Sequence, residues 1–197
     1  MKSIIKKSIL FTLTFFMYNS VFSQVTYMRA AEDGDANAQY KLGRMYATDN
    51  RYQKDISKAV FWYKKAATQK QKDAALALGE LYYYGIEVQQ NFHLAYKYFN
   101  QADTLEMYEA TYCLGEMYEK GVGTNKNEQK AFTYYKRAAD KGNLAKAMFK
   151  VGCMYYYGQG VKKDIAKAMN YIKLAFSEGY PTALDFWNRE ELWQYED

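Results

Sequence analysis

The chain has 197 residues, with 27 Lys and Arg against 22 Asp and Glu for a formal charge of +5, and 49% of it is hydrophobic. That balance gives a globular protein with ample core. One His and two Cys exclude a multi-His metal site, a four-thiolate zinc site and a dense disulfide framework, and leave no ready His-based catalytic set.

Lys2, Lys6 and Lys7 precede an uncharged apolar run from Ser8 to Tyr18, after which Val21 and Ser23 stand where a signal peptidase requires short side chains. This order predicts a signal peptide over residues 1–23, cut before Gln24, and a mature chain over 24–197. The apolar run falls short of the about 20 residues that a membrane span needs. No Cys lies at the junction to take a lipid. The expected location is a bacterial periplasm or outside the cell, with no membrane insertion of the mature chain. Without the three leading lysines the balance is 24 − 22 = +2, and the charges alternate in sign, which disfavours nucleic acid as a partner.

The rest of the chain repeats. YKLGRMY from Tyr40, LALGELY from Leu76, YCLGEMY from Tyr112 and FKVGCMY from Phe149 align on Gly43, Gly79, Gly115 and Gly152, spaced 36, 36 and 37. A second landmark, anchored on Ala59, Ala95, Ala131 and Ala168, keeps the same spacings. Each period reads as two helices. In the first, Ala at −5, Leu or Val at −1 and Tyr at +3 from the landmark Gly form one apolar ridge, and the Gly lets a neighbouring helix approach closely. A turn follows at Asp49-Asn50, Gly85, Gly121 with Gly123, and Gly158 with Gly160. Asp55, Asn91, Asn127 and Asp164 are then predicted N-caps of the second helix, which carries the small pairs Ala66-Ala67 and Ala138-Ala139 at its crossings. Tyr27 and Ala30-Ala31 predict a leading half-repeat helix, and Pro181 to Tyr195 a polar capping helix with Pro181 at its first position.

These residues resemble the Sel-one-like repeat (SLR) family, a 36-residue relative of the tetratricopeptide repeat. The fourth repeat carries the family pattern through Ala145, Ala147, Gly152, Tyr155, Gly158, Gly160, Val161, Asp164, Lys167, Ala168 and Tyr171. The first matches through Leu42, Gly43, Tyr46, Asp55, Lys58, Ala59, Trp62, Tyr63, Ala66 and Ala67. The second departs at Ile86-Glu87-Val88 and Leu94. The resemblance implies an all-α, right-handed α/α superhelical solenoid of four helix-turn-helix repeats, about 35–70, 71–106, 107–142 and 143–179, between a half-repeat helix and a cap over 180–197.

It also implies a concave groove on the side of the first helices opposite the ridge. The residues expected there as partner-binding are Tyr40, Arg44, Glu80, Tyr83, Tyr84, Tyr112, Glu116, Phe149, Tyr156 and Tyr157. Tyr and Arg contribute most per side chain at interfaces, so a protein or extended peptide partner, within an envelope complex or on its own, is expected. The competing reading has Tyr83 and Tyr156 packing between ridges.

No catalytic residue, metal or cofactor is expected. Glu106, Glu109, Glu116 and Glu119 read as a solvated helix face, and His93 as a helix-end residue. The disulfide-laced SLR branch, some of whose members are reported to bind or hydrolyse penicillin-type compounds, pairs Cys within every repeat. Here only Cys113 and Cys153 occur, in successive repeats; no bridge between them within one chain is expected, and pairing between chains stays open. The expected function is a non-catalytic scaffold or adaptor. Its rivals are an enzyme acting on cell wall or β-lactams and a secreted effector that engages host proteins.

Overall fold

The structure, a computed structural model, describes residues 26–48 and 54–195. The signal segment and its cut, and the Asp49-Asn50 turn, lie outside the described residues. The described residues form helices and turns only. Helical residues 26–32 make α1, followed by α2 (Ala36–Thr48), α3 (Ile56–Thr68), α4 (Lys72–Tyr84), α5 (Phe92–Asp103), α6 (Tyr108–Lys120), α7 (Glu128–Asp140), α8 (Ala145–Tyr157), α9 (Ile165–Ser177) and α10 (Thr182–Arg189). A 3-10 turn, Leu192–Tyr195, follows. Thus α2 with α3, α4 with α5, α6 with α7 and α8 with α9 are the four α/α repeats. The chain divides into two compact units, through Ala74 and from Ala75 onward.

In the first unit, Ala31, Ala38 and Leu42 form a buried centre against which Tyr27, Met28, Tyr46 and Trp62 pack. Gln39 is buried there and satisfied twice. Its Nε2 donates to the Ala31 carbonyl at 3.0 Å, and its Oε1 accepts from Gln69 at 2.9 Å. In the second unit the core runs through Tyr135, Phe99, Leu78, Leu114, Met117, Val151 and Ile172. The four paired alanines, Ala66, Ala67, Ala138 and Ala139, are all buried, as crossing points require.

The turn chemistry recurs in every repeat. Asp55, Asn91, Asn127 and Asp164 each accept from the backbone N–H three residues on, at 2.9, 3.0, 2.9 and 3.0 Å. These side chains supply acceptors for N–H groups that a helix start leaves open. Their own N–H groups donate back to the carbonyls of Tyr46, Tyr82, Tyr118 and Tyr155. The backbone of the +3 tyrosine therefore fixes the entry to the second helix. Its ring stacks on the next helix, Tyr82 on Tyr98, Tyr118 on Tyr134 and Tyr155 on Tyr171. The motif lysines Lys58, Lys130 and Lys167 lie over Tyr46, Tyr118 and Tyr155 at 5.3, 5.2 and 5.5 Å, contacts that Leu94 cannot make.

The second turn keeps the form of the third and fourth despite its sequence. Gly121 with Gly123 and Gly158 with Gly160 all have positive φ, and Gly85 with Glu87 takes the same two positions, Glu87 at φ 54. Pro181 flanks α10 as its N-cap instead of occupying its first helical position. Among the described residues no helix is long and apolar enough to cross a membrane, and no buried side-chain polar atom lacks a hydrogen-bond partner.

Candidate partner-binding face

Helical geometry places positions +1 and +5 from the landmark Gly on one side of each first helix, and −3 and +4 on the flank of that side nearer the second helix. The structure separates these two sets. The exposed +5 residues are Thr48, Tyr84, Lys120 and Tyr157. At −3 and +4, Tyr112 and Tyr83 are each only 9% exposed. The cause is the landmark glycine. It carries no side chain, so a ring from the second helix settles on it and draws −3 and +4 inward. Tyr83 packs on Phe92 and Phe99, centroids 5.6 and 6.1 Å apart, and Tyr112 on Tyr135 at 5.2 Å. The expectation that Tyr83 and Tyr112 offer free rings to a partner is corrected to a packing role.

In the first unit, Tyr40 is half-buried with its ring 5.8 Å from that of Tyr63, and Arg44 is exposed. In the second unit, α4, α6, α8 and α10 are linked side by side. Lys120 of α6 donates to the Tyr83 hydroxyl at 3.0 Å and pairs with Glu116 at 3.3 Å. Lys146 of α8 lies 4.2 Å over the Tyr112 ring. Lys150 bonds both oxygens of Glu119, which also accepts from the buried Tyr135 hydroxyl at 2.6 Å. Phe149 is held between Tyr180 and Phe186. Tyr156 packs on Phe186, and its hydroxyl and that of Tyr157 donate to Glu190 at 3.0 and 3.3 Å, with Arg189 on the same carboxylate.

What projects from this surface is Tyr84, 59% exposed, Tyr157, 51% exposed, and the exposed Glu80. Each tyrosine stands edge-on to its packed neighbour, Tyr83 or Tyr156, at 5.0 Å. The fixed ring beneath limits the rotamers of the free one, which lowers the entropy lost when a partner binds. Although Glu80 is exposed as a residue, desolvation by the side chains packed around its carboxyl raises that group above its usual range, with Lys146 opposing and Glu109 adding to the rise. Hydrogen bonds from Arg189 first, and from Tyr156 and Tyr157, hold Glu190 below its usual range.

Lys150 and Glu190 were not legible as members of this face. Lys150 sits at −2, off the predicted side, and Glu190 follows the last residue of a short cap helix. The thiols of Cys113 and Cys153 are free and half-buried, each pushed up to about 12 by burial. Among the described residues no group of His, Cys, Asp and Glu is arranged to hold a metal ion. His93 is exposed one residue into α5. The arrangement is one of contact chemistry: projecting rings, ion pairs already closed within the protein, and satisfied polar groups.

Repeated helix pairs with capped second helices and rings seated on glycines define an α/α repeat protein. The Sel1 repeat profile matches residues 36–70, 72–102, 109–143 and 145–180, and the chain belongs to the Sel1 repeat family. Sel1 repeats are generally protein-interaction scaffolds and are generally non-enzymatic. The fold is similar to the crystal structure of a Sel1 repeat protein from Oxalobacter formigenes, with a TM-score of 0.76 and 31% identity over 82% of this chain and 64% of that one. It is also similar to c5321, a protective antigen present in uropathogenic Escherichia coli strains, with a TM-score of 0.78 and 26% identity over 81% of this chain and 34% of that one. Helicobacter pylori cysteine rich protein B gives a TM-score of 0.54 and 26% identity over 68% of this chain and 95% of its own. The chain thus spans less than two thirds of the first two of these relatives. A comparison with curated protein sequences finds no match.

Proposed function

We propose that this protein is an exported, non-catalytic adaptor that holds a protein or extended peptide segment across the first helices of the repeats in its second unit, in a periplasm or outside the cell. The observation that carries the reading is the pair Tyr84 and Tyr157, large rings half or more exposed at the same repeat position and braced from beneath. Tyrosines of this kind concentrate binding energy at interfaces. Glu80 and Glu116 lie beside Tyr84 on the same surface, and in the first unit the exposed Arg44 holds the repeat position of Glu80 and Glu116, while Tyr40 holds that of Tyr112 and Phe149. Export rests on the order of charges and apolar residues in 1–23.

The decisive experiment is proximity labelling or pull-down from the producing cell with the native protein and with the double variant Tyr84→Ala and Tyr157→Ala. Loss of one recurrent partner on substitution, with helical content unchanged, supports the adaptor. Equal capture by both forms removes these tyrosines from the interface. Robust turnover of a chromogenic β-lactam or of peptidoglycan, abolished by a single substitution, would replace the adaptor by an enzyme. Fractionation and the mass of the mature N-terminus test the export half of the proposal independently.

A further inference from the structure

Within the second unit, positions +1 and +5 from the landmark glycine hold Glu80 and Tyr84 on α4, Glu116 and Lys120 on α6, and Cys153 and Tyr157 on α8. Residues four apart are neighbours on a helix surface, so each pair acts together. Of the three, only α4 joins a carboxylate to an exposed aromatic ring. The other pairs are closed within the chain. Lys120 pairs with Glu116 at 3.3 Å and donates to the Tyr83 hydroxyl at 3.0 Å. Tyr157 donates to Glu190, and the same carboxylate oxygen accepts from Arg189 at 3.0 Å.

Glu80 closes neither an ion pair nor a hydrogen bond among the described residues. The cation that acts on it, Lys146, is drawn over the Tyr112 ring at 4.2 Å. The tyrosines show the same contrast. Lys120 lies over Tyr83 at 5.5 Å, Lys146 over Tyr112, and Lys163 over Tyr156 at 5.4 Å, so the packed rings of this face carry ammonium groups supplied by the chain itself. Among the described residues no lysine or arginine covers the projecting Tyr84 ring, and Glu116 and Glu80 both act on its hydroxyl. Three carboxylates, Glu80, Glu109 and Glu116, stand here against Lys120 and Lys146, which leaves the local charge negative.

We propose that Tyr84, Glu80 and Glu116 receive the cationic end of a lysine or arginine side chain presented by an extended peptide segment of the partner. The inference rests on the adaptor reading and states which chemistry the adaptor selects. A cation over the Tyr84 ring is attracted by the ring face and by the neighbouring carboxylates together. It also gives Glu80 the partner that the chain withholds, and so offsets the cost of a partly desolvated carboxylate. An apolar segment covering Tyr84 would desolvate Glu80 further without pairing it, and an acidic segment would meet like charge. Charge complementarity therefore favours a basic segment over either. Tyr157 lacks this preference, because the carboxylate beside it already holds Arg189.

The test selects binders to the purified protein, under reducing conditions, from a displayed library of random peptides of about twelve residues. Binders that share a lysine or arginine at one position are expected. The enriched peptide is then synthesised with that residue intact and with its charge removed, as norleucine for lysine or citrulline for arginine. Both forms are titrated by fluorescence anisotropy into the native protein and into Glu80→Gln. Removing the charge from the peptide, or from Glu80, weakens binding about tenfold, and removing both costs little more than removing one. Tyr84→Ala weakens the charged peptide more than the neutral one, and added salt narrows the gap between the two peptides on the native protein. The peptide arm needs no variant to fold. Binders that share an acidic residue or no charge, or losses at the two partners that multiply independently, overturn the proposal and leave the adaptor standing. A library that yields no binder removes this proposal and the extended-peptide form of the adaptor together.

Discussion

The ring of Tyr135 occupies the place where a side chain on Gly115 would stand, and a Cβ there would lie 2.7 Å from the ring. The relation recurs at a separation of 20 residues in Gly43 with Tyr63, Gly79 with Phe99 and Gly152 with Ile172. The landmark glycine exists for this contact. Gly115→Ala gains up to about 1 kcal/mol of helix propensity but forces the buried ring aside, a strain of typically 1–3 kcal/mol. Net destabilisation is expected, read as a lower urea midpoint with an unchanged slope.

The two adjacent tyrosines of α4 are expected to respond oppositely to truncation. Tyr83→Ala empties a buried site against Phe92 and Phe99, at a cost of roughly 3 kcal/mol. Tyr84→Ala removes a largely exposed ring, and stability stays within about 0.5 kcal/mol of the native protein. Melting curves of the two variants distinguish a packing residue from a contact residue without any knowledge of the partner.

Glu119 is the shared acceptor of Tyr135 and Lys150. Glu119→Ala leaves the hydroxyl of a fully buried ring without its carboxylate, a loss of about 1–3 kcal/mol. Adding Tyr135→Phe removes the stranded group. The double variant is therefore expected to be less destabilised than the sum of the two single changes, as a double-mutant cycle in denaturant measures.

Alkaline pH should unfold the protein early. Burial pushes Cys113 and Cys153 from an ordinary 9.0 up to about 12, and the hydrogen bond to Tyr118, then burial, pushes Tyr96 from 10.0 up to about 12. Burial also raises Tyr112 and Tyr135. Below pH 9 folded and unfolded chains hold the same protons at these groups, and their stabilisation is complete. Above it the unfolded chain releases protons that the folded chain keeps, so stability falls as pH rises from about 9 to 12. Melting temperature against pH checks the sign. At pH 8 both thiols should alkylate slowly in the native protein and readily in urea.

The alternation of ridge, turn and cap was legible from the chain because each rests on local chemistry. Asp55, Asn91, Asn127 and Asp164 cap through bonds only three residues long, and the spacing of Ala, Leu or Val and Tyr follows from the helical period. The left-handed conformation of Glu87 was not legible, because a glutamate gives no hint of the position that Gly123 and Gly160 mark openly.

The candidate face was legible in part. A single-helix projection placed Tyr83 and Tyr84 on the same open side, as it did Tyr156 and Tyr157. It counted the landmark glycine as empty, since nothing in the first helix fills it. The filling ring comes from the second helix, 20 residues later, and turns the buried arc toward Tyr83 and Tyr112. The 36-residue period, the helix pairs and their caps follow from the sequence by itself, because local bonds and periodicity fix them. Which tyrosines are left for a partner is decided by tertiary packing, because burial at one helix depends on the side chains that another brings to it.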